Sequence, residues 1–500
     1  MFGWLKNLGA KRRAGGLKAT AVRFIRAKFD SARTTPDNRR HWANADGLSP
    51  DAAASPVVRR ILRSRARYEV ANNSYARGIV LTLANDVVGT GPRLQMLTDA
   101  LGLNRDIERA FAAWAKAAAL AERLRTMRMA RAQDGEAFAV LVSNGALVSG
   151  VALDLRLIEA DQVTTPGFAS GSAAAAPVRR GEAQRSPKRS QVDGIVFDAS
   201  DNPVEYHVLK AHPGSDKAVG LGLEYDRVPA ESMVHWFRAD RPGQSRGLPD
   251  ILPALPLFAQ LRRYTLAVIA AAESSANIAI FMKTTAPPGG EAAEVEPMAT
   301  MEFEPNMAVF GPEGWEPSQI KAEQPATTYA EFKNQILNEI ARCLNMPFNV
   351  AAGNSSGYNY ASGRLDHQTY FKSIRVEQAH LEDAVLDRLL DAWLREAVRV
   401  PGLLPLAARA LDDFPHQWFW DGHEHVDPAK EASAQAERLA NHTTTLAHEY
   451  AKQGKDWETE LRQRAKEKEM MRELGLSEAE AQPTAEKDDE DEPETNREAA

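Results

Sequence analysis

The chain has 500 residues, of which 44% are hydrophobic and 26% are charged, enough apolar material for roughly two to four domains. Its single cysteine, Cys343, excludes a disulfide framework and a cysteine-based zinc module. The first residues lack the apolar stretch of a secretory signal. Tyr264 to Phe281, the best membrane candidate, contains Glu273 and several other polar residues. We expect a soluble protein that is made and used inside a cell.

Charge is distributed unevenly, although the net charge is only −7. Residues 1–67 hold 16 Lys and Arg against 4 Asp and Glu, whereas residues 471–500 hold 3 against 11. The first segment predicts a basic arm that can meet nucleic acid or an acidic partner, and the second predicts a disordered acidic tail. A solvated arm without a partner is the alternative interpretation of the basic run.

The first predicted helices are amphipathic. Pro56 opens a helix in which Val58, Leu62 and Ala66 share one face. A later helix has Asn104 as its predicted N-cap. The apolar face of that later helix is formed by Ile107, Phe111, Trp114 and Ala118.

A β-rich stretch follows, because the apolar period changes from 3.6 to 2. Residues 136–143 and 153–159 read as paired strands, with a hairpin-like turn at Asn144-Gly145. Further strands are predicted near Ile195, Glu205 and Met233. Residues 165–190 are rich in Ala, Gly, Ser, Pro and Arg, which is typical of an exposed loop.

Beyond Arg241 the chain is predicted to be mainly helical. An Ala- and Ser-rich helix precedes a short β-like insert, and a second helix then ends near Asn345-Met-Pro. The segment 353–363 is polar and leads into a long helix from about 364 to 399. The buried stripe of that helix is predicted as Ile374, Leu381, Val385, Leu389 and Trp393.

Two patterns are compatible with catalysis or metal binding. Gly353-Asn-Ser355-Ser-Gly357 matches the G-x-S-x-G elbow of serine hydrolases, but six residues intervene before the next helical pattern. His416, Asp421 and His423-Glu-His lie close enough in sequence to bind a divalent metal, although this Trp- and Phe-rich segment equally favours simple packing. No phosphate-loop motif is present. We therefore expect no enzymatic activity and no cofactor, with a serine or metal-dependent hydrolase kept as an alternative.

Six short stretches are more informative together than alone. They are Arg63-Ser-Arg-Ala-Arg-Tyr-Glu-Val, Asn85-Asp-Val-Val-Gly-Thr-Gly-Pro, Arg241-Pro-Gly-Gln-Ser-Arg-Gly-Leu-Pro, Asn359-Tyr-Ala-Ser-Gly-Arg, Trp418-Phe-Trp and Val426-Asp-Pro-Ala-Lys-Glu. In this order, from about residue 35 to 475, they resemble the lambda-type portal proteins of tailed bacteriophages. Ala361 departs from the family's pattern, which has serine there.

The resemblance implies an α+β, multidomain portal fold with a mixed α/β wing, a helical stem, a small β clip and a helical C-terminal crown. Mapped onto this sequence, the parts are a basic arm (1–55), the wing (56–246), the first stem helix (247–282), the clip (283–328), the second stem helix (329–346), the tunnel loop (347–363), the long helix and wing return (364–428), the crown helices (429–475) and the acidic disordered tail (476–500).

The resemblance also implies a function. Portal subunits form a ring, typically a dodecamer, at one capsid vertex, and double-stranded DNA is packaged and ejected through its tunnel without sequence preference. The implied partners are the terminase large subunit, the major capsid or scaffold protein and head-completion proteins, with no membrane. The implied location is the virion, after assembly in the host cytoplasm. A DNA-binding or scaffold-like protein that never closes a ring remains an alternative.

The resemblance assigns two sets of site residues. Uncharged polar side chains in a tunnel loop suit DNA that must slide, because dense Lys and Arg would bind each phosphate and stall movement. An ordinary exposed connection is the other interpretation of that loop. The tunnel-loop set is Asn354, Ser355, Ser356, Asn359, Tyr360, Ser362 and Arg364, and the set facing terminase and connector proteins is Glu302, Glu304, Phe310, Glu313 and Trp315.

Overall fold

The computed structural model describes residues 35, 36, 39–165, 190–216, 224–277, 281–284, 315–318, 329–405, 408, 414–422 and 428–476. The chain divides into two compact units, Met1–Ser49 and Pro50–Ala500. In the first unit the described residues form turns, and the Ala45 N–H donates to the Trp42 carbonyl at 3.1 Å. The acidic tail and nearly all of the expected loop 165–190 lie outside the described residues.

Helices form most of the described part of the second unit. A π-helical turn, Glu382–Leu386, joins the ninth helix to the tenth. The N-terminal helices are α1 (Pro50–Ala53), α2 (Pro56–Asn72), α3 (Ser74–Val88), α4 (Leu101–Ala117) and α5 (Leu120–Asp134). The C-terminal helices are α6 (Leu255–Asn277), α7 (Tyr329–Cys343), α8 (Phe348–Ala352), α9 (Tyr360–Leu381), α10 (Asp387–Ala397), α11 (Pro428–Ala440), α12 (Leu446–Lys452) and α13 (Trp457–Glu473).

The described strands form small sheets in which every pairing is antiparallel. One sheet has the order β3-β2-β8 and another has the order β4-β5-β6-β7, while β1 pairs with β11 and β9 with β10. Helices and separate antiparallel sheets confirm the predicted α+β class. The strands are β1 (Arg93–Met96), β2 (Glu136–Ser143), β3 (Leu153–Ile158), β4 (Ser190–Val192), β5 (Ile195–Phe197), β6 (Pro203–Leu209), β7 (Tyr225–Pro229), β8 (Met233–Phe237), β9 (Phe281–Thr284), β10 (Trp315–Ser318) and β11 (His416–Phe419).

The predicted pairing of β2 with β3 is confirmed, with Ser143 opposite Leu153 and Phe138 opposite Ile158. The connection between them is longer than a two-residue hairpin and spans residues 144–152. Within it the Asn144 side chain turns the chain by accepting the Ala146 N–H at 3.1 Å. Asn144-Gly145 therefore begins the turn, but it does not join β2 to β3 as a two-residue hairpin loop.

The aromatic core forms between α4, α10 and β11. Phe111 and Trp114 of α4 lie 5.3 and 6.4 Å from Trp393 between ring centroids, and Phe111 lies 5.6 Å from Trp418. The predicted apolar faces of α4 and of α9–α10 are thus both confirmed as buried. Asn104 was expected to be the N-cap of α4, but it lies inside the helix, which begins at Leu101. Its buried side-chain amide donates to the Thr98 carbonyl at 2.8 Å instead of capping the helix.

The predicted apolar face of α2 is only partly buried: Ala66 is buried, but the other buried residues of the helix are charged. Val58 is 39% exposed, whereas the intervening Arg59 and Arg63 are 1% and 4% exposed. The helix turns its arginines inward because buried carboxylates on neighbouring segments pair with them, which compensates the desolvation of the charges. Its buried residues are Arg59, Arg63, Ala66 and Glu69.

The Glu136 carboxylate is the centre of this buried ion cluster. Arg246 donates to its two oxygens over 2.7–3.0 Å, Arg63 contacts Oε1, and His235 Nε2 lies 3.0 Å from Oε2. Burial raises the pKa of Glu136, but Arg246, His235 and Arg63 outweigh it and hold that pKa well below its usual range. Burial lowers the pKa of His235, so this imidazole is neutral near pH 7. The cluster ties α2, β2, β8 and the segment before α6 together.

Two glycines allow the backbones to meet beside this cluster. A Cβ on Gly247 would lie 2.0 Å from the Gly135 carbonyl oxygen, and a Cβ on Gly135 would lie 2.4 Å from the Leu248 backbone. The Gly247 N–H donates to Glu136 Oε2 at 3.2 Å. Only glycine permits this approach, which brings the residues before α6 to the start of β2.

We predict that Glu136→Gln lowers the free energy of unfolding by about 3 kcal/mol, because it leaves two buried arginines without their shared counter-charge. Urea denaturation of the variant measures this loss. Asp391→Asn is the matched control, since Asp391 pairs with Arg395 on the surface and its removal is expected to change stability little. Equal midpoints for the two variants would contradict the central role of Glu136.

Candidate DNA-facing and assembly surfaces

An exposed loop of residues 353–359 joins α8 to α9. Gly353 has φ +62° and ends α8, and its N–H donates to the Val350 carbonyl at 3.3 Å. The Asn354 side chain accepts the Ser356 N–H at 3.0 Å, and the Tyr358 N–H donates to the Ser355 carbonyl at 3.1 Å. The loop is shorter than the predicted polar segment 353–363, because α9 already begins at Tyr360.

The structure places most of the predicted tunnel-loop residues on this one loop. Asn354, Ser355, Ser356 and Asn359 are exposed there, and Arg364 is exposed one turn into α9. Tyr360 and Ser362 belong to the first turn of α9 at the level of the backbone. Arg364 is the single charged residue among the seven, so the loop presents amides and hydroxyls rather than cations.

The helices on either side of the loop are anchored to α3. Tyr370 of α9 donates its hydroxyl to Asp86 at 2.6 Å, and the Gln378 amide donates to the Val87 carbonyl at 3.1 Å. Closer to the loop, Asn349 of α8 donates to His367 of α9 at 3.0 Å. The loop is therefore exposed on a fixed support, an arrangement typical of recognition loops.

Ser355 does not have the geometry of a hydrolase nucleophile. Helix α8 precedes it instead of a strand, and the Asn349 amide lies between it and the nearest described imidazole, with 3.4 Å to Ser355 Oγ and 3.0 Å to His367 Nε2. An elbow needs the serine on a strand-to-helix turn with a base in hydrogen-bond reach. The G-x-S-x-G pattern is thus an exposed loop sequence here.

The described residues of the histidine-rich segment make separate structural contacts. His416 Nε2 lies 3.2 Å from Asp387, whereas Asp421 accepts the Thr90 hydroxyl at 2.6 Å. His423, Glu424, His425 and Asp427 lie outside the described residues.

A carboxylate–histidine cluster that sequence reasoning missed lies at Glu159, Asp161 and His212. His212 Nε2 is 3.1 and 3.8 Å from the two carboxylates, and Arg67 pairs with both. His212 Nδ1 accepts the Gly214 N–H at 3.0 Å, which places the hydrogen of a neutral ring on Nε2 and leaves no lone pair there for a metal. The cluster is therefore a charged surface contact.

The clip prediction is partly within the described residues. β9 and β10 pair antiparallel, with Trp315 opposite Thr284 and Ser318 opposite Phe281. Both strands belong to the segment between α6 and α7. The other four predicted clip residues, Glu302, Glu304, Phe310 and Glu313, lie outside the described residues.

Helices α6 and α7 pack as an antiparallel pair, and the contacts between them fix which residues share a height. The Tyr264 ring lies 5.6 Å from the Tyr329 ring and 4.8 Å from the Phe332 ring. At the other end Cys343 Sγ donates to the Asp250 carbonyl at 3.3 Å. Residues next to Tyr264 therefore lie level with residues near 330.

Each helix of this pair has exposed side chains, here called its free face. On α6 these are Arg263, Leu266 and Ala270. On α7 they are Glu331, Gln335 and Asn338, and Glu331 and Gln335 lie at the edge of the pair beside Tyr264 and Phe332. Arg263 and Glu331 are level with each other, and neither is ion-paired among the described residues. Sequence reasoning missed this matched pair, because it depends on the register of the two helices.

The sequence model of the family described as "Phage portal protein, lambda family" matches residues 36–378. The chain belongs to the lambda family of phage portal proteins. It is a structural component of the virion and not an enzyme, as predicted.

Individual relatives are distant. A probable portal protein of Halomonas phage phiHAP-1 is 25% identical over 424 residues, which cover 79% of this chain and 77% of that protein. Among solved structures, a chain from the neck of an empty GTA particle is 11% identical with a TM-score of 0.47, covering 77% of this chain and 91% of its own. An HK97-family portal protein from Corynebacterium diphtheriae is 15% identical with a TM-score of 0.27, covering 69% and 94%.

None of the described helices combines the length and the apolar composition that a membrane span requires.

We predict that Gly353→Ala lowers stability by about 1 kcal/mol, because a Cβ is strained at the left-handed backbone angle that ends α8. Urea denaturation of the purified variant checks this. Gly357→Ala is the matched control in the same loop: Gly357 has no left-handed angle, and a Cβ there meets nothing within 4 Å. A larger loss for Gly357→Ala than for Gly353→Ala would show that the loop has another conformation.

Proposed function

We propose that copies of this chain form a closed ring, a homododecamer, at one capsid vertex, and that double-stranded DNA is packaged and ejected through its axis. The observation that carries this proposal is the α6–α7 pair with its two free faces. Ring closure needs a head-to-tail contact between two different surfaces of the same chain. The free face of α6 and the free face of α7 are two such different surfaces.

Height and charge support a specific contact. In a ring whose axis is parallel to the helix pair, every copy places a given residue at the same position along that axis. Arg263 of one copy therefore lies at the same axial position as Glu331 of the next copy. Leu266 and Ala270 lie on the same face as Arg263, and their apolar surface favours close packing of the neighbouring helix. In this arrangement the stem of the ring consists of α6 and α7 from every copy.

The DNA-facing role falls to the loop 353–359 and the first turn of α9. Its exposed Asn354, Ser355, Ser356 and Asn359 offer weak hydrogen bonds to a passing backbone, together with Tyr360 and Ser362, and Arg364 adds one charge. A surface with few cations releases few counterions on binding DNA, so movement along the axis is not opposed by tight contacts.

The remaining parts are assigned to partners. The insert between α6 and α7, with Glu302, Glu304, Phe310, Glu313 and Trp315, would form the clip that docks the terminase large subunit and then head-completion proteins. Helices α11 to α13 would form the crown inside the shell. The major capsid or scaffold protein would surround the ring during assembly in the host cytoplasm, where the basic arm can meet DNA, scaffold or shell.

We expect wild-type protein to show a ring mass near twelve copies of the 54.9 kDa chain by native mass spectrometry. Arg263→Glu should weaken each seam by roughly 1 kcal/mol, since it places two carboxylates opposite each other, and the exchange Arg263→Glu with Glu331→Arg should restore the ring. Arg105→Glu, an exposed arginine on α4, serves as the control. Failure of the double exchange to recover what Arg263→Glu loses would argue against this seam.

We also expect the double variant Asn354→Arg, Ser356→Arg to slow DNA packaging while the ring mass stays unchanged. Each added phosphate contact should steepen the salt dependence of DNA binding by about one unit of log–log slope. A packaging assay at several salt concentrations measures both effects, and Ser355→Ala is the control that should package normally. Unchanged packaging by the double variant would place the loop away from the DNA path.

A further inference from the structure

A cavity of about 510 Å³ lies between α3, α5, the segment before α6, the end of α7 and the middle of α9. It is separate from the loop 353–359 and from the free faces of α6 and α7. Its walls carry an excess of positive charge, because five cationic side chains face only two carboxylates, Asp250 and Glu377. The five are Arg128, Arg131, Arg238, Arg342 and Lys372.

The two carboxylates are largely used by one of the arginines. Arg128 donates to Glu377 at 2.9 and 3.0 Å and to Asp250 at 3.0 Å, so each of its three nitrogens has a partner. Arg238 also pairs with Asp250, at 3.3 Å, but its side chain is half exposed and bonds Asp240 as well. Arg131 shares the same two carboxylates, with Glu377 at 2.7 Å and Asp250 at 3.8 Å, the latter beyond hydrogen-bond distance.

Arg131 is the cation whose hydrogen-bond donors most clearly lack acceptors. It is 1% exposed, and only its Nη2 is satisfied, by Glu377 at 2.7 Å. Its Nε and Nη1 are buried and have no hydrogen-bond partner among the described residues, and its guanidinium lies 4.9 Å from the Trp236 ring centroid. Buried guanidinium donors without acceptors are costly, so the site has capacity for one more anionic acceptor.

The electrostatics of the two neighbouring arginines agree with this geometry. Burial lowers the pKa of Arg131; Asp250 and Glu377 oppose this effect, whereas the positive charges of Arg128 and Arg238 add to it, and the pKa stays below its usual value. For Arg128, Glu377 and Asp250 outweigh burial and raise the pKa. The two arginines lie one helical turn apart on α5 and differ in how completely they are neutralised.

We propose that this cavity binds a phosphate group, which accepts hydrogen bonds from Arg131 and is held at the cavity mouth by Arg342 and Lys372. A phosphate presents more acceptor oxygens than a carboxylate, so one group can satisfy a buried arginine and two exposed cations together. The phosphate comes either from free inorganic phosphate or from the backbone of DNA.

Cys343 provides a natural reporter, because it is the single cysteine of the chain and lines the same cavity. Burial raises the pKa of its thiol, so labelling by a neutral reagent such as N-ethylmaleimide is already slow. A bound phosphate places negative charge beside the thiol and narrows access to it. We expect inorganic phosphate to slow labelling of the full chain at least about threefold, with saturation, relative to chloride at equal ionic strength.

Two variants on the same helix separate a binding site from general screening. Lys372→Gln removes a cation from the cavity and should shift half-protection to roughly tenfold higher phosphate. Arg375→Gln removes an exposed cation of α9 that does not line the cavity. Phosphate should protect Cys343 of this variant from labelling as it protects Cys343 of the wild type. The proposal would be overturned if both variants reached half-protection of Cys343 at the same phosphate concentration. It would also be overturned if phosphate did not slow labelling of the wild type.

The source of the phosphate is decided with a short DNA duplex at the same phosphate concentration. Protection by inorganic phosphate but not by DNA identifies a free anion as the ligand. Protection by the duplex that Lys372→Gln weakens identifies the DNA backbone. Protection by DNA that persists unchanged in Lys372→Gln would mean that DNA covers Cys343 from elsewhere, which contradicts a phosphate site in the cavity.

Discussion

The buried carboxylate of Glu136 is the constraint on which the rest of the structure depends. It lies at the first residue of β2 and accepts Arg63 from α2, His235 from β8 and Arg246 from the segment before α6. Leaving Glu136 or either arginine without its partner would cost several kcal/mol, and the neutral His235 adds a hydrogen bond, so the four segments are held in the arrangement that satisfies all of them. The position of α6, and with it the α6–α7 pair, follows from this junction.

The same junction explains why distant stretches of the sequence were informative as a set. The stretch that begins at Arg63 and the one that contains Arg246 and Gly247 meet at a single carboxylate. The late stretch behaves alike: Trp418 donates its ring N–H to Asp387 at 2.8 Å, which ties β11 to the start of α10. Charged and aromatic residues of the signature thus hold elements together, and the exposed surfaces proposed for assembly and DNA contact are positioned by them.

The two surfaces differ in how they use charge. The loop 353–359 is anchored through α8 and α9 but presents mostly uncharged groups, which suits contact with a moving polyanion. The cavity beside Arg131 has the opposite character, with cations that the chain does not fully neutralise. The two proposals thus assign sliding contact with DNA and phosphate binding to different places in the chain, since dense cations on a loop beside moving DNA would stall it.

The sequence by itself determined the α+β class, the apolar stripes of α4 and of α9–α10, and the family. Periodic apolar residues and short motifs in a fixed order are local signals in the sequence. The sequence-based prediction was wrong about the burial of Val58 in α2 and about Asn104 as an N-cap. The arginines of α2 are buried because their partners lie far along the chain, and Asn104 is held by a carbonyl outside its helix. The level pairing of Arg263 with Glu331 and the lack of acceptors at Arg131 were decided only by the tertiary structure. Both depend on distances between elements whose separation in space no local pattern encodes.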